Sequence, residues 1–521
     1  MKIQPNIPQY NNNNNQNFTG AMEAGTAFLR FLDTNQAWGA NAVDLCSMVI
    51  PRTTVDFVNR GPEAGTETAR RESMGTFNHS MVGVYGSIAG AFLAASINNR
   101  FGIKAHKIFA DNETFEAVTK SFDAHKGTDY SAHLRNLFSQ LETEVDGKWR
   151  KIPAEDVDKL VGKFNSSMMN KQTPELINKE LMNYSKAVIT NATGSQSAYR
   201  FAGSKNTFTL SNGIENIYNI TKAVIAKEAK GISSDNFLKA MKKMNISRSF
   251  IGLGVATTIG MLTQPVNIYL TKKKTGSDGF VGVAGREKDK SSQFKMLKLA
   301  GASIFSLGAL STITTNPKNL LSKLQFKGMI PTVSQLKFVY GLTIASRIMS
   351  ARDKDEFRES MVKDTLGFLN LLVLGALVTK GVARAFDKSL INVGKDGSKN
   401  FFKWLTNSSL KTRDEVLYTE LKKKGISTVK NGKELPFKEL LKLADKSTKG
   451  KLRVLNIAQV AGYLYSGLVL GVGVPKLNIY MTNKSEAKRK AKLAEKEAQT
   501  PKSAFDTMMH ADNLEFLSKN M

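Results

Sequence analysis

The stretch MNISRSFIGLGVATTIGMLTQPVNIYLTKK, residues 244–273, decides how the rest of the chain is read, together with its echo LNIAQVAGYLYSGLVLGVGVPKLNIYMTNK, residues 455–484. Ser249–Leu270 in the first and Val454–Pro475 in the second each run for 22 residues without a charged side chain. A bilayer core about 30 Å thick is crossed by roughly 20 helical residues. Each stretch therefore reads as a transmembrane helix. The two align without a gap at an offset of 211 residues, sharing Asn245/Asn456, Ile246/Ile457, Leu253/Leu464, Gly260/Gly471, Asn267/Asn478, Ile268/Ile479, Tyr269/Tyr480, Thr271/Thr482 and Lys273/Lys484. A proline, Pro265 or Pro475, precedes each Asn-Ile-Tyr block.

The shared block has a plain physical reading. Proline ends or kinks a helix. A tyrosine ring suits headgroup depth, and the lysines that follow suit anionic headgroups. Pro265, Asn267, Tyr269, Thr271, Pro475, Asn478, Tyr480 and Thr482 are thus expected to be interface anchors, or, if the repeat builds a transporter, parts of a paired site. Lys272, Lys273, Lys274, Lys484, Lys488, Arg489 and Lys490 are the expected lipid-headgroup contacts.

Three further windows extend the pattern: Ser80–Asn99, Leu299–Pro317 and the shorter Thr365–Thr379, whose flanking Lys380 and Arg384 reach the interface by snorkelling. Thr332–Met349, carrying Lys337 and Arg347, is a sixth candidate. These segments are rich in Gly, Ala, Ser and Thr; glycine costs stability in a soluble helix, but small residues let membrane helices approach closely. Gly83, Gly86, Gly90, Gly260, Gly467 and Gly471 are the expected packing positions. The fold class that follows is all-α, a polytopic helical membrane protein of five or six spans with soluble helical insertions.

The domain plan is read from the same windows. Residues 1–20 are an Asn-rich N-terminus too polar to order itself and unlike a secretory signal. Residues 21–79 are an amphipathic membrane-proximal region, and 80–99 a transmembrane helix. Residues 100–248 form a soluble, mainly helical region. Residues 249–385 are the membrane bundle core, with spans near 249–270, 299–317, 332–349 and 365–385. Residues 386–453 are a basic soluble region, 454–481 a transmembrane helix, and 482–521 a basic helical tail. The loop Thr271–Lys295 holds seven Lys/Arg against three Asp/Glu, and Asn483–Gln499 six against three. The positive-inside rule puts both on the cytoplasmic side, with residues 100–248 and 386–453 facing outward.

Charge narrows the partners. Lys+Arg total 74 against Asp+Glu 45, a formal net charge of +29. Such a chain associates with acidic surfaces. The bilayer and its anionic headgroups are the expected partner, alongside a second copy or another membrane protein. No zinc-finger spacing, RNP strand or helix-turn-helix pattern supports nucleic acid. The single cysteine, Cys46, excludes intrachain disulfides and is expected to be a buried structural thiol.

No catalytic constellation is present. His79, His106, His125, His133 and His510 make no HExxH, and there is no Walker A, GxGxxG, GxSxG or EF-hand pattern. No catalytic residue, cofactor or metal is expected. The expected function is that of a multi-pass membrane protein of structural or interaction type. The alternatives are a small-solute transporter or channel built on the repeat, and a soluble helical protein that is structural or associated with nucleic acid.

Overall fold

The computed structural model describes residues 16–34, 44–101, 104–125, 129–145, 148–169, 176–194, 199–204, 206–283, 285–328, 331–394, 400–406, 408–430 and 433–499. Most of the Asn-rich segment expected at 1–20 and the tail beyond 499 lie outside them; helix begins at Gln16. The fold is all-α apart from short strands in the two insertions. Among the described residues, three helices are long and apolar enough to cross a membrane: Ser234–Thr275, Ser292–Ser311 and the continuous Lys446–Lys496.

The helices are α1 (Gln16–Thr34), α2 (Ile50–Arg60) and α3 (Pro62–Phe101), then α4 (Asn112–Ala124), α5 (Ser131–Gln140), α6 (Ala154–Met169), α7 (Lys179–Thr193) and α8 (Leu210–Glu228) in the first insertion. Next come α9 (Ser234–Thr275), α10 (Ser292–Ser311), α11 (Leu320–Leu324), α12 (Val333–Ser350), α13 (Lys354–Leu369) and α14 (Gly375–Phe386). The second insertion holds α15 (Phe401–Thr406), α16 (Arg413–Lys423) and α17 (Phe437–Leu443), and α18 (Lys446–Tyr465) and α19 (Val474–Gln499) close the chain. π-helical segments at Asn370–Leu374 and Ser466–Gly473 join α13 to α14 and α18 to α19 without a break.

Two long helix pairs organise the molecule. In the first, α3 runs antiparallel to α9. At 40 residues α3 is about 60 Å long, so it extends well beyond a bilayer core. Local chemistry sets its partner's ends. The Ser233 side chain accepts from the Asn236 amide at the start of α9, and Gly276, with φ 76°, lets the chain turn at its end. In the second pair, α13–α14 packs against α18–α19, and the Thr379 side chain fills the space above Gly462. Helix α12 lies against α9 and α10. The apolar window of α10 is only 22% buried by protein, as suits a helix that faces lipid.

The first insertion carries the largest core, in which Phe138, Phe164 and Tyr218 pack edge to face. Its three-stranded sheet has the order β2-β1-β3, formed by β1 (Leu141–Val145), β2 (Lys148–Lys151) and β3 (Tyr199–Phe201). The second insertion pairs β4 (Ile391–Val393) with β5 (Ser408–Leu410), and β6 (Val429–Lys430) with β7 (Lys433–Glu434). Both insertions contain the same run: a helix, an antiparallel hairpin, a proline and a second helix. These are α5–β1–β2–Pro153–α6 and α16–β6–β7–Pro436–α17. The insertions also touch each other. Ala187 of α7 is buried among Leu417, Leu421 and Leu440, and the Lys422 ammonium donates to the Ala192 carbonyl.

Three expectations change in detail. The window at Leu299–Pro317 is a helix from Ser292 to Ser311, capped at its start by Ser291; Asn316 instead caps a short 3-10 turn. Neither proline ends its helix: α9 continues through Pro265 to Thr275, and α19 from Pro475 to Gln499. The carbonyl that Pro265 leaves unbonded, on Met261, is taken by the Ser346 hydroxyl of α12 at 2.5 Å. Cys46 is exposed rather than buried, because the π-turn Leu45–Val49 directs Ser47 and Val49 inward.

Candidate functional site

The two Asn-Ile-Tyr blocks occupy matching positions at one end of the helix pairs. In a helix, residues four apart share a face. Asn267 and Thr271 therefore point together into the protein, as do Asn478 and Thr482, and all four are buried. Tyr269 and Tyr480 point away and are 64% and 62% exposed. The inward contacts correspond. Asn267 donates through Nδ2 to the Glu67 carbonyl at 2.8 Å, and Asn478 to the Glu359 carbonyl at 3.3 Å. The Arg70 guanidinium reaches Thr271 Oγ1 at 2.8 Å, and that of Arg358 reaches Thr482 Oγ1 at 2.7 Å.

At the opposite end the two asparagines are held differently, Asn245 by Arg248 of its own helix and Asn456 by Arg413 of α16. Asn245 Oδ1 accepts from Arg248 Nε at 2.9 Å, and Asn456 Oδ1 accepts from Arg413 Nε at 2.9 Å. Sequence reasoning missed these inward roles. The signal was present in the four-residue spacing of Asn and Thr and in Asn245/Asn456 itself.

The glycines expected at packing positions differ in what they touch. Gly83 is buried in α3. A Cβ on Gly86 would meet the Phe326 ring at 2.6 Å, whereas one on Gly90 would make ordinary contact with Arg248 at 3.4 Å. Gly260 abuts the Thr343 hydroxyl, and Gly471 abuts the Ser47 carbonyl so closely that neither position has room for a side chain. Gly467 keeps an ordinary distance of 3.7 Å from the same carbonyl. Helices α3 and α9 approach closely at Gly252, where a Cβ would lie 2.7 Å from Gly86 Cα.

Beyond the blocks lies a layer of buried charge that the sequence windows did not single out. It joins the two helix pairs where their charged segments, 62–79 and 352–364, extend past the apolar windows. Arg352 bridges Glu67 at 2.5 Å and Glu356 at 2.9 Å, with all three side chains nearly inaccessible. Lys363 meets Glu72 at 2.9 Å, and Arg347 meets Asp364 at 3.2 Å. Arg60 pairs with Glu359 and, at 3.5 Å, with Asp56. Arg52 reaches Glu72 at 3.3 Å and also donates to the Leu470 carbonyl in the π-turn before α19. Burial acts to raise the Glu72 carboxyl, but Lys363, Arg347, Arg52 and Arg71 outweigh it and hold the group well below the usual carboxylate range. The six acids Asp56, Glu67, Glu72, Glu356, Glu359 and Asp364 are matched by Arg52, Arg60, Arg71, Arg347, Arg352 and Lys363. The cavity beside Asp56, Arg60, Glu67, Arg71 and Glu359 is about 30 Å³, space for about two water molecules.

The basic patches lie just outside this layer. Lys272, Lys273 and Lys274 are exposed, with Lys272 lying 3.5 Å from Asp278. Lys484, Lys488 and Lys490 are exposed as well. Arg489 is held by Glu486 at 2.8 Å, and Glu486 is itself bound by Arg286 at 3.0 Å, so this arginine is less available than its neighbours.

The one histidine of the first insertion's core is structural. Buried His133 hydrogen-bonds through Nδ1 with Ser121 at 3.1 Å and through Nε2 with Thr221 at 2.8 Å. Burial lowers its pKa to about 4, which keeps the ring neutral as a structural link between helices. Among the described residues no group of His, Cys, Asp and Glu could hold a metal ion. No family model, curated protein or solved structure matches the chain.

Proposed function

We propose that the chain is a multi-pass membrane protein with a scaffolding role, holding its two joined insertions as one rigid helical cap on a bilayer. The observation that carries this reading is the charge layer. Buried charges within a membrane bundle usually mark a pathway when they line a wet cavity. Here every one of the acids Asp56, Glu67, Glu72, Glu356, Glu359 and Asp364 has a cationic partner, and the void beside them, about 30 Å³, is too small for a solute. Buried ion pairs of this kind are weak sources of stability but can specify a unique assembly, and that is the role assigned to them here.

The spans of this reading are the windows in α3, α9, α10, α12, α13–α14 and α18–α19. The corresponding Asn and Thr contacts support treating α3–insertion–α9 and α13–α14–insertion–α18–α19 as two copies of one plan. Tyr269 and Tyr480 then mark headgroup depth on one side, and the lysines beside them meet anionic lipid. The insertions lie on the other side.

Two measurements test the proposal. Cysteines placed at the exposed positions Lys273 and Lys484, in a Cys46→Ser background, are expected to label from the same membrane face; labelling from opposite faces overturns the paired exits. Proteoliposomes are expected to pass potassium, protons and amino acids no faster than protein-free vesicles. Flux above that background favours the transporter built on the repeat.

A further inference from the structure

Where α14 leaves the last part of its apolar window, the second insertion encloses an open pocket of about 690 Å³, within the size range of small-molecule sites. Its walls are mostly apolar, formed by Leu377 of α14, Ile391 and Val393 of β4, and Trp404 of α15. Its rim carries two cations, Arg384 and Lys388. The Arg384 guanidinium lies 5.1 Å from the centre of the Trp404 ring, a cation–π distance that orients it. Neither Arg384 nor Lys388 has a carboxylate partner among the described residues. The neighbouring Lys380 is committed differently, since its ammonium donates to the Leu405 and Ser408 carbonyls at 2.6 and 3.1 Å.

Three features select the occupant. The chamber is apolar and sits beside a membrane helix, which suits an acyl chain. Its rim holds two cations without counter-ions among the described residues, which suits a phosphate. The tryptophan is 8% exposed and stands between the two environments, as an indole does at a bilayer interface. We propose that this pocket binds one acyl chain of an anionic phospholipid drawn from the bilayer, with Arg384 and Lys388 holding its phosphate. The proposal rests on the membrane reading above but concerns a separate place from the lysine patches beside Tyr269 and Tyr480.

Trp404 is its own reporter. The full chain carrying Trp38→Phe and Trp149→Phe retains Trp404 alone. It would be reconstituted into phosphatidylcholine vesicles containing a few mole per cent of dibrominated phosphatidylglycerol or, separately, dibrominated phosphatidylcholine. Site binding predicts several-fold stronger quenching by the anionic lipid. Arg384→Gln with Lys388→Gln, both exposed positions, should remove that difference while leaving the unfolding temperature and the carbonate resistance of the protein unchanged. Equal quenching by the two brominated lipids, or headgroup selectivity that survives the double substitution, overturns the pocket while the membrane reading stands. Release of the protein from membranes by carbonate would instead overturn the membrane reading beneath it.

Discussion

Gly252→Ala should loosen the first helix pair. The added Cβ would lie 2.7 Å from Gly86 Cα and 2.8 Å from Gly86 N, both backbone atoms that no rotamer change can move. The Phe326 ring, at 3.2 Å, blocks the remaining direction. Helices α3 and α9 must therefore separate by several tenths of an ångström along a contact that fixes their whole length. Overpacking of a close-packed interior typically costs about 1–3 kcal/mol. Gly254→Ala supplies the control. A Cβ there meets nothing within 4 Å, so removing a helical glycine should be neutral or stabilise by up to about 1 kcal/mol. Thermal unfolding of the two variants in the same detergent measures the difference. Equal stability for Gly252→Ala and Gly254→Ala would refute the close approach of α3 and α9 at Gly86.

The remaining expectations concern charge and the exit blocks. Arg352→Met leaves Glu67 and Glu356 buried without their cation and should destabilise by about 3–5 kcal/mol, whereas adding Glu67→Leu and Glu356→Leu should restore much of the loss; a triple variant as unstable as the single one would contradict the pairing. His133, with its pKa lowered to about 4, stays neutral in the fold while the unfolded chain binds a proton below about pH 6.5. The full chain should therefore lose up to about 3 kcal/mol as pH falls from the unfolded value toward the folded one, and His133→Gln should lose less over that window; parallel pH profiles of unfolding would refute this. Tyr269→Phe and Tyr480→Phe should change stability little. Asn267→Leu and Asn478→Leu, which remove the additional side-chain bond to the helical Glu67 and Glu359 carbonyls, should cost about 1 kcal/mol each, and the reverse ranking in unfolding assays would place the wrong residues inward.

Much of the helical plan was legible in the sequence because uncharged windows and small residues are strong, local signals. Ser80–Asn99 falls within α3, Thr332–Met349 nearly coincides with α12, and the hairpin-bearing insertions were recognisable as mainly helical. The exit blocks could be located but not oriented. Proline suggested an ending, yet the Ser346 hydroxyl satisfies the carbonyl that Pro265 frees, so α9 continues. The charge layer was invisible for a different reason. Arg352 and Glu67 are 285 residues apart, and each reads as a solvated side chain until the fold brings them together. Likewise, the pocket at Trp404 joins α14 to strands of an insertion, and no window of sequence contains both.

Integration into a bilayer is the premise on which the paired exits, the charge layer and the lipid pocket all rest, and extraction tests it most directly. Membranes from cells expressing the full chain would be washed in alkaline carbonate and then in detergent. A protein crossing the bilayer through α9, α10 and α18–α19 stays in the carbonate pellet and is released by detergent. Appearance of the intact chain in the carbonate supernatant would contradict it.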